Sequence, residues 1–181
     1  LVSSLDQFIQ QIYWGEGLSK TQSHENIEQG LVEIIYPGGQ HCSNGLLVTD
    51  NGYFLTAEHC VPDKYRYNQI RLFDGQTYEI TKVCARSKKD DVALVKANIP
   101  GDFSHRLYKF DDEKYDSRIP IALFTRRSGK TITKYGFINL DSTKFAVLTK
   151  KVMDVGDQAV NFYNHYVLDI DSRPGDSGGI I

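Results

Sequence analysis

Pro174-Gly175-Asp176-Ser177-Gly178-Gly179-Ile180 stands near the end of a chain of 181 residues, and the rest is read from it. A serine set among glycines lets the backbone turn tightly and lets a substrate carbonyl approach the main chain. In such a turn the N–H groups of Gly175 and Ser177 can point together and form an oxyanion hole. Losing one donor of that kind costs ~3 kcal/mol or more of transition-state stabilisation. Gly-Ser-Gly runs also occur as ordinary flexible loops, so the serine carries chemistry only if the chain supplies a base and an orienter.

Five histidines compete for the role of base: His24, His41, His59, His105 and His165. His59 directly follows a strand pattern in Leu55-Thr-Ala-Glu-His-Cys60, which places its imidazole over a cleft. His24 and His105 lie in polar loops and read as surface residues. His41, before a cysteine, and His165, in a Tyr-rich strand, read as structural. For the orienter, Asp91-Val-Ala-Leu-Val-Lys96 puts a carboxylate at the start of an apolar strand, where it needs a hydrogen-bond partner to be tolerated. Asp90, in a charged turn with Lys88 and Lys89, reads as solvated, so Asp91 is preferred.

Around these residues the pattern is β-type. Short apolar runs end at turn signals, as in Leu31–Tyr36 before Pro37-Gly38-Gly39, and Asn44–Thr49 and Tyr53–Thr56 flanking Asp50-Asn51-Gly52. Further strands are expected over Gln69–Phe73, Thr77–Val83, Val92–Lys96, Ile119–Phe124, Lys130–Ile138, Phe145–Lys150 and Tyr163–Ile170, which points to an all-β barrel or sandwich. Residues 1–14 read as a short helix with Leu5, Phe8, Ile9 and Ile12 on one face, followed by a polar linker to residue 30. Charge interrupts the strands at Phe110–Tyr115. The expected division is therefore 1–30 helix and linker, 31–112 first barrel, and 113–181 second barrel.

Composition narrows the class. A formal net charge of −2 supplies no electrostatic footprint for nucleic acid, and no run of eighteen apolar residues suggests a membrane span. Three cysteines allow at most one internal disulfide, and no Cys-x-x-Cys or close His pair argues for a metal. No cofactor is expected.

Taken in order, Thr-Ala-Glu-His-Cys, Asp-Val-Ala-Leu and Gly-Asp-Ser-Gly-Gly resemble the three motifs of the trypsin-like (chymotrypsin-fold) serine proteases, over roughly residues 31–181. The resemblance implies two six-stranded antiparallel β-barrels, a catalytic triad of His59, Asp91 and Ser177, and an oxyanion hole from the Gly175 and Ser177 amides. It implies hydrolysis of protein or peptide substrates. The hairpin Asp50–Tyr53 before the histidine, and Pro174, are similar to the bacterial HtrA-type branch. Cys60 directly after the histidine is similar instead to the secreted branch, which implies a Cys42–Cys60 disulfide and a secreted or periplasmic location. Such a bridge would close a loop of about 18 residues and contribute ~3 kcal/mol in the chain-entropy picture. Cys84 is then a free thiol. Asp171, six residues before the serine, falls where the family places the base of its primary specificity pocket, which implies preference for Lys or Arg before the scissile bond.

Two departures accompany the resemblance. No Ile-Val-Gly-Gly type terminus precedes the first barrel, so another donor must hold Asp176. The chain also stops two residues after Gly179, which leaves the second barrel incomplete and suggests a fragment of a longer protein. The competing functions are a non-catalytic or inactive binding module of the same fold and an esterase using the same residues.

Overall fold

The computed structural model describes residues 29–61, 63, 68–100, 120–139 and 167–181. Among them the short β-type runs form nine strands: β1 Leu31–Ile35, β2 His41–Leu47, β3 Tyr53–Thr56, β4 Gln69–Arg71, β5 Thr77–Ser87, β6 Val92–Ala97, β7 Pro120–Arg127, β8 Lys130–Asn139 and β9 Val167–Asp169. The first six close into an antiparallel barrel in the order β1-β2-β3-β6-β5-β4, and β7, β8 and β9 form a separate three-stranded sheet. Closure leaves the barrel without an exposed edge. The all-β class with a first six-stranded barrel matches the expectation.

The barrel interior is filled by Val32, Ile34, Leu47, Phe54, Ile70, Val95 and their neighbours in one apolar cluster. Each such side chain contributes about 1.5–3 kcal/mol when fully removed from water. At the β2–β3 hairpin the Thr49 hydroxyl donates to Asn51 Oδ1 at 2.7 Å and accepts from the Tyr53 amide at 3.0 Å, holding the expected Asn-Gly turn. Register then pairs Phe54 with Val95 and Thr56 with Ala93. That pairing brings the end of β3, and the histidine turn after it, beside the start of β6.

β2 and β5 run beyond their apolar segments for reasons that the sequence pattern does not show. β2 begins at His41, because Ser43 and Asn44 pair with Ile34 and Glu33 of β1 although their side chains are polar. β5 continues to Ser87 through register shifts at Ile80/Lys82 and Val83/Ala85, and such bulges break the strict alternation a sequence reading relies on. The helix over residues 1–14, the linker after it up to residue 28, the boundary at 110–115, the strand at 145–150, and His24, His105 and His165 lie outside the described residues.

β1 is buried on both faces, since its outer face packs against β7. Glu33 lies on that face and is fully buried. Its carboxylate accepts four hydrogen bonds: from the Ser128 amide at 2.7 Å, the Gly129 amide at 3.0 Å, His41 Nδ1 at 3.0 Å and Arg71 Nη1 at 3.1 Å. Burial alone would push the Glu33 pKa up from 4.5. The Gly129 and Ser128 amides, then His41 and the Arg71 charge, more than offset this and hold it below that value.

The stabilisation from Glu33 is therefore present above about pH 4.5 and is lost as pH falls through its lower folded-state pKa. Replacing Glu33 with Ala strands a buried imidazole, a guanidinium and two amides. It is expected to lower stability by about 3–5 kcal/mol, read as a fall in the urea midpoint at pH 7. A midpoint equal to that of the parent protein would show that the carboxylate holds nothing together.

Candidate active site

The Thr-Ala-Glu-His-Cys run leaves β3 and enters a 3₁₀ turn, Glu58–Cys60. Buried Glu58 pairs with Arg86 Nη1 of β5 at 3.3 Å, and its amide donates to the Asp91 carbonyl at 3.1 Å. Asp91 sits at the entry to β6 with φ of 52°, a left-handed backbone that a non-glycine residue adopts at a cost of ~1–3 kcal/mol. The surrounding bonds hold it there. Asp91 Oδ1 accepts the His59 amide at 3.0 Å, and Oδ2 faces His59 Nδ1 at 2.7 Å. Asp90 instead accepts the Ser87 hydroxyl at 2.7 Å within the β5–β6 turn.

On its other side His59 Nε2 lies 3.0 Å from Ser177 Oγ. When the ring is neutral, with its one proton on Nδ1 and shared with Asp91, Nε2 is free to accept the serine proton. His59, Asp91 and Ser177, read from three separate motifs, are thus hydrogen-bonded in a row. The Asp91 hydrogen bond is the first cause that raises the His59 pKa above 6.5; the Cys60 sulfur adds to it and burial opposes it.

Asn44 of β2 positions the serine loop. Its amide donates to Ser177 O at 2.8 Å, and its side-chain Nδ2 donates to Gly175 O at 2.9 Å. Its Oδ1 accepts the Arg126 amide at 2.6 Å, and its carbonyl accepts the Thr56 hydroxyl at 2.6 Å. His41 Nε2 also reaches Gly175 O, at 2.8 Å, while its Nδ1 faces Glu33. Both ring nitrogens face acceptors, so both bonds form together only when the ring carries two protons. Beyond the serine, Ile180 pairs with Phe124 of β7 by bonds of 2.7 and 2.9 Å.

The glycines of the loop are required by shape. Gly175 has φ of 94°, and a Cβ there would lie 2.7 Å from His41 Nε2 and 2.9 Å from Arg127 Nη2. At Gly178, with φ of 75°, a Cβ would fall 2.0 Å from the Asn44 carbonyl oxygen. No acceptor among the described residues bonds the Gly175 or Ser177 amide. Gly179 N–H instead caps the Asp176 carbonyl at 3.0 Å.

Asp176 is held by donors of the second sheet and of its own loop. Its Oδ2 accepts Lys134 Nζ of β8 at 2.5 Å and the Arg173 amide at 2.7 Å, and Arg127 Nη2 lies 3.8 Å from Oδ1. Burial pushes the Asp176 pKa up, but the Lys134 bond, the Arg173 amide and the two cationic charges bring it below 3.8. Sequence reasoning anticipated a substitute donor but not which residue. Lys134 carries no signal in the sequence beyond being a cation in a strand.

Two expectations change. Cys42, Cys60 and Cys84 are all free thiols, so the Cys42–Cys60 disulfide is not formed. A bridge needs the two sulfurs at about 2.0 Å from each other, a geometry that Cys42 and Cys60 do not adopt. Asp171 is not a buried lone charge: its side chain is 75 % exposed and lies 3.7 Å from the Arg173 guanidinium.

The His59–Asp91 bond predicts an NMR titration. The imidazolium of His59 should persist above pH 6.5, and Asp91→Asn should move its titration down towards that value. Identical titrations in the two proteins would show that the carboxylate does not govern the ring.

A family model described as "Trypsin-like peptidase domain" matches residues 43–181. No curated protein sequence matches the chain. Among solved structures, the chain is similar to one titled "Crystal structure of Rv3671c protease, inactive form". The TM-score is 0.57 at 16 % identity, covering 84 % of this chain and 70 % of that one. At that identity the likeness carries the fold, and it agrees with a closed barrel joined to a second sheet. The family model spans well over half the sequence and takes in His59, Asp91 and Ser177, and on that ground the chain belongs to the trypsin-like peptidase family.

Proposed function

We propose that the protein is a serine endopeptidase that hydrolyses peptide bonds through His59, Asp91 and Ser177. The observation that carries the reading is the continuous array from Asp91 Oδ2 through His59 to Ser177 Oγ, with links of 2.7 and 3.0 Å. Ser177 Oγ attacks the scissile carbonyl carbon while its proton passes to His59 Nε2. Asp91 keeps the ring oriented and stabilises the imidazolium. The Gly175 and Ser177 amides receive the oxygen that gains charge. His59 then gives its proton to the departing amine, the carbonyl–nitrogen bond breaks, and water attacks the acyl-serine by the same steps in reverse order.

The test is covalent labelling. A peptidyl phosphonate is expected to add one inhibitor mass at Ser177, and Ser177→Ala should abolish both the adduct and peptide turnover to within ~10³–10⁴-fold of the uncatalysed rate. An unlabelled Ser177 in a protein that otherwise folds would favour the alternative, a binding module of the same fold.

Preference for Lys or Arg before the scissile bond forms the second part of the proposal and rests on Asp171. An exposed carboxylate already beside a guanidinium contributes about 0.2–1 kcal/mol to a new ion pair. The expected advantage of Arg over Leu at that substrate position is therefore no more than about fivefold in kcat/KM. Asp171→Asn should remove it. A much larger preference, or one that survives the substitution, would place the cation's partner elsewhere.

A further inference from the structure

Arg127 ends β7 immediately before the Ser128-Gly129 turn whose two amides bind Glu33. Its guanidinium turns towards the serine loop, where Nη2 donates to the Pro174 carbonyl at 2.5 Å and lies 3.8 Å from Asp176 Oδ1. The Pro174–Gly175 peptide is trans, so its carbonyl and its N–H point in opposite directions. A cation that fixes the Pro174 oxygen on one side therefore fixes the Gly175 N–H on the other.

We infer that Arg127 is a positioning residue for the oxyanion hole: by holding the Pro174 carbonyl it aims the Gly175 amide at the reacting oxygen. The inference rests on the serine-peptidase reading above.

Neighbouring peptides show why this anchor matters. The Asp176 carbonyl is held by the Gly179 amide, which aims the Ser177 N–H by the same planar geometry. The Gly175 carbonyl is held by His41 and Asn44, and the Asp176 amide by the Arg173 carbonyl. Those contacts fix the Gly175–Asp176 and Asp176–Ser177 peptides but leave the Pro174–Gly175 plane to its own carbonyl partner. Glycine at 175 offers little torsional resistance of its own. Arg127 Nη2 is the donor to the Pro174 oxygen among the described residues, and without it that peptide is free to rotate and carry the N–H away from the site.

Arg127 touches neither the nucleophile nor the base, so its effect differs from general destabilisation. Arg127→Ala is expected to lower kcat about 10²-fold, as small misplacements of catalytic groups do, with little change in KM. Affinity for a peptide aldehyde, whose adduct places an oxyanion in the hole, should fall in parallel, while affinity for the product peptide should not. Arg127→Lys should retain an intermediate kcat, and added guanidinium ion should restore part of the activity of Arg127→Ala. A merely structural role would show none of this selectivity and no rescue. Wild-type kcat and aldehyde affinity in Arg127→Ala, alongside normal phosphonate labelling of Ser177 in the parent protein, would overturn this inference alone. Failure of the parent protein to label at Ser177 would remove the serine-peptidase reading and this inference with it.

Discussion

A fully buried carboxylate joins the two halves of the described structure. Glu33 has no access to water, and a lone charge in that position would be prohibitively costly. Its four donors come from β2, β4 and the β7–β8 turn, so the charge is tolerated only when the barrel and the second sheet are docked in one arrangement. Two paths run from it to the serine loop. One passes through His41 to the Gly175 carbonyl. The other passes through the Ser128-Gly129 turn to Arg127 and the Pro174 carbonyl. Electrostatics inside the fold thus reach the backbone beside Ser177.

The site itself stores strain and balances it locally. Asp91 occupies a left-handed backbone, and its carboxylate and carbonyl are bonded to the histidine turn at three points. Asp176, the acidic residue next to the serine, is pulled towards β8 by Lys134, while Asn44 ties the main chain at 175 and 177 to β2. The serine loop is therefore held from both sheets, with bonds to β2, β7 and β8. This two-sided support keeps a glycine-rich segment in one conformation although glycine by itself has the greatest freedom to lose.

Much of this was legible in the sequence, and the reasons are local. The strands show as apolar runs between turn residues, and His59, Asp91 and Ser177 each stand in a short motif whose residue types suit the proposed chemistry. Glu33, by contrast, looks like the solvated position of an alternating strand, Leu31-Val-Glu-Ile-Ile, because nothing nearby shows that β7 covers that face. His41 reads as structural for a similar reason; its partner at Gly175 is 134 residues away. The expected Cys42–Cys60 bridge rested on the position of Cys60 after the histidine, and position along the chain does not set the distance between two sulfurs. Asp171 stands where the family places the base of its specificity pocket, and the folded loop leaves its side chain in water beside Arg173.

The all-β class, the order of the first barrel's strands along the chain, and the three residues His59, Asp91 and Ser177 proposed as base, orienter and nucleophile follow from the sequence alone. Each of these depends on residue type and near neighbours. Tertiary structure decided which cation holds Asp176, which side chains turn the peptides of residues 174–177, and that Glu33 is buried. Those outcomes depend on which distant strands come together. A hydrogen bond is made by groups within about 3 Å of each other, and a linear sequence carries no such distance.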